Sequence, residues 1–290
     1  MSSNIPIMST DNASLDRVRR EIDRIDDQIH DLLMQRAGLV EQIARAKAPG
    51  GVALRPGREA AVLRRLIGRH QGPFPVPALV RIWREIMGAL VGLQQPFTVA
   101  VYQPDRGAGY LELARNHFGV VCPQVAHQSA GHVVRAVADG AASVGLVPIP
   151  GAADVEPWWL ALTTASGNLP RIVARLPVLV QEPAAGRPEP LEAFIVACRD
   201  PEPTGDDRTL VAVETAPDIS RDRLRTAFTA VGMEVTALSA THRFEDAWRH
   251  LVEVEGHVAE ADPRLAELVQ NRDPVAHARV IGGYAIPLNA

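Results

Sequence analysis

The sequence predicts a multi-domain chain: an all-α front of three helices, an α/β lobe, and a small closing α+β module. Three observations predict it. Through the first third, apolar residues recur at helical spacing. After Gln95-Pro96 the texture changes to short apolar runs alternating with amphipathic stretches. The tail then runs strand-helix-strand-strand-helix-strand, the ferredoxin-like order. The boundaries this implies are 11–95, 96–204 and 205–290. A chain of 290 residues, 47% of them hydrophobic, is long enough for such cores.

From Leu15 the apolar positions are Leu15, Val18, Ile22, Ile25, Ile29 and Leu32, the seam of a long helix. Ser14 or Asn12 can cap it. The same rhythm continues to positions 36, 39 and 43, which hold Arg36, Leu39 and Ile43, so Arg36 stands where an apolar residue is expected. Eleven residues on, at about 100° per residue, Lys47 lies only about 20° around the helix from Arg36. Lys47 is the sole lysine among 30 cationic residues. Snorkelling or a carboxylate partner accounts for one seam arginine, whereas two inward cations on one stripe favour a shared anionic ligand. A helix over 15–47 would be roughly 50 Å long, beyond the width of a 90-residue domain, and so predicts an intertwined homodimer. Arg19 projects about 100° off the Arg36 face and suits a partner's pocket better than its own.

Pro49-Gly50-Gly51 ends this helix. Arg55-Pro56-Gly57 opens a second with Val62, Leu63, Leu66 and Ile67 as its apolar face, and Arg58 and Glu59 one turn ahead of that face. QGPFPVP breaks the chain before a third helix carrying Leu79, Ile82, Trp83, Ile86, Met87, Leu90 and Leu93, whose core side Gln94 continues. Taken singly, each polar residue could be an ordinary helix-end residue. Together they describe a pocket of arginine, lysine, glutamate and glutamine without a cysteine, histidine or serine nucleophile. Such a pocket can bind a small dianion, hold a reactive conformer and stabilise charge developing on an oxygen, which suits a unimolecular rearrangement.

The segments LDRVRREIDRIDDQIHDLLMQRAGLVEQIARAK, RPGREAAVLRRL and IWREIMGALVGLQQ resemble the all-helical (AroQ-type) chorismate mutase domain, found alone or fused to prephenate dehydratase, over about residues 11–95. The resemblance implies that Arg36 binds a substrate carboxylate and that Arg19 reaches one from the other subunit. It implies that Lys47 and Gln94 donate to the ether oxygen, that Arg58 adds positive potential and that Glu59 takes the ring hydroxyl. Arg55 stands where some members have an acidic residue, and Leu90 where some have a serine. The implied activity is the pericyclic conversion of chorismate to prephenate, an isomerase reaction needing no cofactor.

In the rear half, FTVAVYQ, a helix near 109–118, VVCPQVA, a helix near 129–138 and SVGLVPI read as β-α-β-α-β, and RIVARLPVLV and AFIVACR add strands. The tail predicts a strand at 208–214, a helix at 219–231, strands at 233–240 and 247–254, a helix at 262–270 and a strand near 278–286. Through VAVY, HFG, RAVADG, VGLVPI and IGGYAIP this half resembles, more weakly, prephenate dehydratase followed by its ACT regulatory domain. The motifs that carry that family's chemistry are altered: QPDRGAGY replaces the glycine-rich loop, Ile149-Pro150-Gly151 the Glu-Asn-Ser stretch, and Glu192-Ala193-Phe194 the threonine-arginine-phenylalanine triplet. About 95 residues separate Pro96 from that triplet, half of what two lobes need. The ACT ligand motifs read Asp218-Ile219-Ser220 and Ser239-Ala240-Thr241-His242. The rear half is therefore expected to be non-catalytic or regulatory. The alternatives are a bifunctional mutase and dehydratase, and a catalytically silent module sensing an aromatic amino acid.

Composition narrows the remaining classes. Residues 1–94 carry 14 basic and 10 acidic side chains and residues 95–290 carry 16 and 24, charges of about +4 and −8. Without basic runs or interleaved aromatics the front half is not expected to bind nucleic acid. Cys122 and Cys198 cannot make a disulfide framework and read as reduced core residues. His117, His127 and His132 lack a companion ligand pattern, so no metal is expected. Gly107 and Gly109 form a lone GxG in a turn, and Ser166 a loop serine. With neither a signal-peptide pattern at MSSNIPIMSTDNAS nor a membrane-length apolar run, a soluble cytoplasmic protein is expected.

Overall fold

The computed structural model describes residues 10–46, 53–105, 109–151, 157–164, 169–180, 191–217, 219–244, 246–270 and 273–289. The chain divides into two compact units, Met1–Pro49 and Gly50–Ala290.

The first unit is one helix, α1 (Thr10–Ala46), 37 residues and so about 55 Å long. Ion pairs one turn apart line its surface: Arg19–Asp16 at 3.2 Å, Arg24–Glu21 at 2.6 Å and Arg45–Glu41 at 3.3 Å. Exposed pairs of this kind add only a few tenths of a kcal/mol each. The seam read from the sequence is an apolar stripe interrupted at Arg36, with Leu15, Val18, Ile22, Ile25, Ile29, Leu32, Leu39 and Ile43 between 43% and 63% exposed. A polar helix face needs no cover; this stripe does.

In the second unit, α2 (Pro56–Gly68) starts with proline in its first turn, where a missing N–H costs nothing. Leu63 of α2 packs with Val80 and Met87 of α3 (Val76–Gly92) and with Leu179. The buried residues of α3 are Val80, Arg84, Met87, Leu90 and Val91. Ile82 and Leu93, expected on the core side, are 45% and 52% exposed. The inward face is thus rotated toward 80, 84, 87 and 91, because α3 packs along α4 (Tyr110–Phe118).

Three parallel strands follow, β1 (Val99–Tyr102), β2 (Gln124–His127) and β3 (Val144–Pro148), alternating with α4 and with α5 (Ala130–Ala138). Val99, Ala100 and Val101 are fully buried, as expected of a strand covered on both faces. The strand expected from VVCPQVA begins only at Gln124. Val120 and Val121 precede Pro123, which lacks a ladder donor, and both are 67% exposed. A 3₁₀ turn at Trp158–Thr163, with both tryptophans buried, was not expected. Strands β4 (Arg171–Leu176), β5 (Leu179–Val180) and β6 (Ala193–Ala197) come next; β6 pairs antiparallel with both β3 and β4.

The tail supplies β7 (Asp207–Thr215), α6 (Arg221–Ala230), β8 (Val235–Phe244), β9 (Ala247–Glu255), α7 (Pro263–Val269), β10 (Val275–Ala285) and β11 (Leu288–Asn289). Its four long strands lie side by side as β10-β7-β9-β8, mutually antiparallel, the ferredoxin-like arrangement. Ser220 and Asp262 cap the two helices, accepting from the N–H groups of Arg223 and Arg264.

The lobe and the tail share one sheet, ordered β2-β1-β3-β6-β4-β10-β7-β9-β8. The seam between its halves is a single parallel register pair, Ile172 with Gly282. Gly282 has φ +147°, and a Cβ there would lie 2.2 Å from the Ile172 carbonyl oxygen. Gly282→Ala combines an unfavourable backbone with a backbone clash and should cost about 2–4 kcal/mol. A thermal midpoint lowered by several degrees is expected, and a midpoint equal to wild type would show that the strands can part without penalty.

Candidate functional site

The residues singled out by the sequence are placed as follows. On α1, Arg19 is exposed and paired with Asp16, and Arg36 is half-buried. Lys47 lies outside the described residues. In the second unit, Arg55 donates to Glu202 at 2.9 Å. Arg58 is exposed on α2. Gln94, half-buried just beyond α3, donates its side-chain amide to the Leu90 carbonyl at 3.3 Å.

Glu59 is the exception to this scatter. Only 9% exposed, it accepts from Arg84 Nη1 at 2.5 Å. Arg84 is 3% exposed and turns its Nε to the His117 carbonyl at 2.8 Å. One planar fork therefore spans a carboxylate on α2 and the last turn of α4, a geometry that a lysine could not reproduce. Arg84 was not expected as a site residue. Its signal was present in the sequence, an arginine in the buried row Val80, Arg84, Met87, Val91, the same kind of signal that exposed Arg36.

Around this pair lies a cavity of about 30 Å³, lined by Glu59, Arg84, His117 and Arg175 among others. That is room for one or two waters, or for a hydroxyl reaching in, and not for a whole cyclic dicarboxylate. Burial and then the nearby charge of Arg84 hold the His117 ring well below the usual histidine range, so it stays neutral. Its edge meets the Phe118 ring, with centroids 4.7 Å apart.

Deeper in the sheet, Arg175 donates Nη2 to both carboxylate oxygens of Glu192 at 2.9 Å and Nη1 to the Tyr284 hydroxyl at 3.0 Å. Tyr284 in turn donates to Glu253 at 2.6 Å, and Thr236 donates to the other oxygen of that carboxylate at 2.9 Å. Burial, then the Glu253 charge, pushes the Tyr284 phenol well above its usual range. The carboxylate of Glu192 is thus occupied by Arg175, while Ala193 and Phe194 are buried in β6. Ser220 is spent on the α6 cap, and Thr241 pairs with His250 at 3.1 Å.

Thiol chemistry has no support here. Burial pushes the half-exposed Cys122 up to about 11 and raises Cys198, leaving little thiolate at neutral pH. Among the described residues no His, Cys, Asp or Glu cluster could hold a metal ion, and no helix is long and apolar enough to cross a membrane.

Residues 18–95 match the family model for chorismate mutase type II. The matched stretch takes in most of α1 together with α2 and α3. Curated relatives are bifunctional chorismate mutase/prephenate dehydratases. The one from Stutzerimonas stutzeri is 34% identical over 141 residues, 47% of this chain and 38% of that protein. The one from Neisseria gonorrhoeae is 37% identical over 112 residues, 37% of this chain and 30% of that protein. The aligned stretch thus spans only about two fifths or less of these relatives. Among solved structures, prephenate dehydratase from Streptococcus mutans aligns at TM-score 0.47 and 16% identity, covering 67% of this chain and 100% of that one. Prephenate dehydratase from Staphylococcus aureus aligns at 0.44 and 11%, covering 65% and 100%.

The neutral, buried histidines have a pH consequence. His250 is also lowered, by burial and then by Arg221. An unfolded histidine takes up a proton near pH 6.5, while these two in the folded chain take it up only at lower pH, so the unfolded state binds more protons below that pH and stability falls with acidification. Above about pH 7 the two groups contribute no slope. The thermal midpoint should drop between pH 7 and pH 5, and His117→Asn should shallow that drop; an unchanged slope in the variant would count against the assignment.

Proposed function

We propose that this chain catalyses the rearrangement of chorismate to prephenate, and that its rear half does not catalyse the dehydration that follows. The observation that carries the first statement is the chorismate mutase type II match over 18–95; to the site we assign Arg19, Arg36, Lys47, Arg58, Glu59 and Gln94, the residues that the sequence resemblance implies. The mechanism follows from these residue types. Arg36 and Arg19 of the partner subunit grip the two carboxylates and hold the flexible dianion in its compact conformer. Lys47 and Gln94 donate to the ether oxygen as its bond to carbon breaks, Glu59 accepts the ring hydroxyl and Arg58 supplies positive potential. The donors interact more strongly with the transition state than with the ground state, which is what lowers the barrier. Arg55, just ahead of α2, is assigned to substrate binding with Arg19 and Arg58.

The homodimer belongs to the same reading. An apolar stripe along all of α1 calls for a cover of matching length, and a second copy of the helix is one. We also assign the division into a mutase portion (11–95), a reduced dehydratase-like lobe (96–204) and an ACT-like module (205–290), with a soluble, cytoplasmic setting. Against catalysis in the rear half stand Ala193, which offers no polar side chain, and Glu192, held by Arg175.

The bifunctional reading is favoured by the relatives' second activity. Supplying prephenate and measuring phenylpyruvate separates the two; none is expected. For the mutase, Lys47→Ala should lower kcat by about 10²–10³, the usual effect of removing one preorganised donor. Lys47→Arg should not restore it, since a planar fork replaces a point charge. Near-wild-type turnover in purified Lys47→Ala would sink the assignment. Protein that leaves chorismate intact would favour a silent aromatic-amino-acid-sensing module.

A further inference from the structure

Arg84 is a buried cation that the mutase mechanism does not use, and its surroundings are built from both parts of the second unit. On the helical side it holds Glu59. On the other it donates to the His117 carbonyl, one of the carbonyls that the end of α4 leaves without a helical partner. Its neighbours on α3 engage the same helix end. Glu85 accepts from the Val120 backbone N–H at 3.0 and 3.3 Å through its two carboxylate oxygens. Gly88 lies so close to the Phe118 carbonyl that a Cβ on it would sit 1.8 Å from the oxygen. Three residues within two turns of α3 are thus shaped to the C-terminal end of α4: one by charge and fork, one by hydrogen bonding, one by having no side chain.

We propose that Arg84 is a positioning residue for the mutase: it fixes Glu59 and fastens it to the end of α4, so that the α/β part is a structural component of the helical active site. This rests on the mutase reading above. The physical reason is that a carboxylate that accepts a single hydroxyl must be held in a fixed orientation, and a buried, charge-assisted hydrogen bond supplies that hold. The contact to His117 then makes the position of α4, and hence of the sheet behind it, part of what sets the Glu59 carboxylate.

The test measures chorismate turnover by the full-length protein. Arg84→Gln should lower kcat at least tenfold with KM changed by less than threefold, because substrate carboxylates are gripped elsewhere. Arg84→Lys keeps the charge but cannot serve both partners, and should recover only part of the loss. In a double-mutant cycle, Arg84→Gln should add little to the loss already caused by Glu59→Gln, since both remove one function. Glu85→Gln, a milder change at the same helix end, should lower kcat severalfold while far-UV circular dichroism stays unchanged. A folded Arg84→Gln or Glu85→Gln protein with wild-type kcat overturns the proposal, as do losses that multiply in the double mutant. If Arg84→Gln does not fold, Glu85→Gln decides. If wild-type protein consumes no chorismate, the mutase reading itself has failed, and this proposal with it.

Discussion

The architecture of Gly50–Ala290 depends on one close approach, the backbone of Ile172 against that of Gly282. On one side lie strands that are parallel or mixed, with helices between them; on the other lie four long antiparallel strands with two helices. Either half could close its own core. Joining them edge to edge removes one exposed edge from each, which lowers the hazard that unpaired edges present. It also lets a hydrophobic cluster extend from Ala100 and Val147 through Phe194 to Leu251 and Ile281. A side chain at 282 would hold the halves apart.

The same union holds a chain of paired polar side chains. Glu192, just ahead of β6, and Arg175, Tyr284, Glu253 and Thr236 form a polar chain across β4, β10, β9 and β8 that is buried at Tyr284 and Glu253. Such a network is costly if half satisfied and rigidifying if complete.

Much of this was legible in the sequence, and what was missed has identifiable causes. The long helix, the parallel lobe and the four-stranded tail all follow from periodicity, because burial on one or two faces leaves periods of 3.6 and 2. The 3₁₀ turn at Trp158–Thr163 was not, since six residues carry no period and two tryptophans are buried there for packing alone. The start of β2 was misplaced because valine content outweighed the proline at 123. Of the candidate site residues that are described, Glu59 alone is buried, and its partner, Arg84, went unread. The apolar residues of α3 are broad enough to admit two inward faces, and only the neighbouring α4 selects the one that contains an arginine.

The near-absence of lysine has a use for its arginines. Arg64 spans the Thr204 hydroxyl and the Asp206 carbonyl, both at 2.8 Å; Arg279 reaches the carbonyls of Thr163 and Thr164; and Arg199 reaches that of Leu54. Forked cations staple loop carbonyls that no strand or helix satisfies. As a result, only the bond after Lys47 offers a target to a lysine-specific protease, and it lies two residues from the boundary between the compact units. A single cut there would sever the chain ahead of every one of these arginine staples.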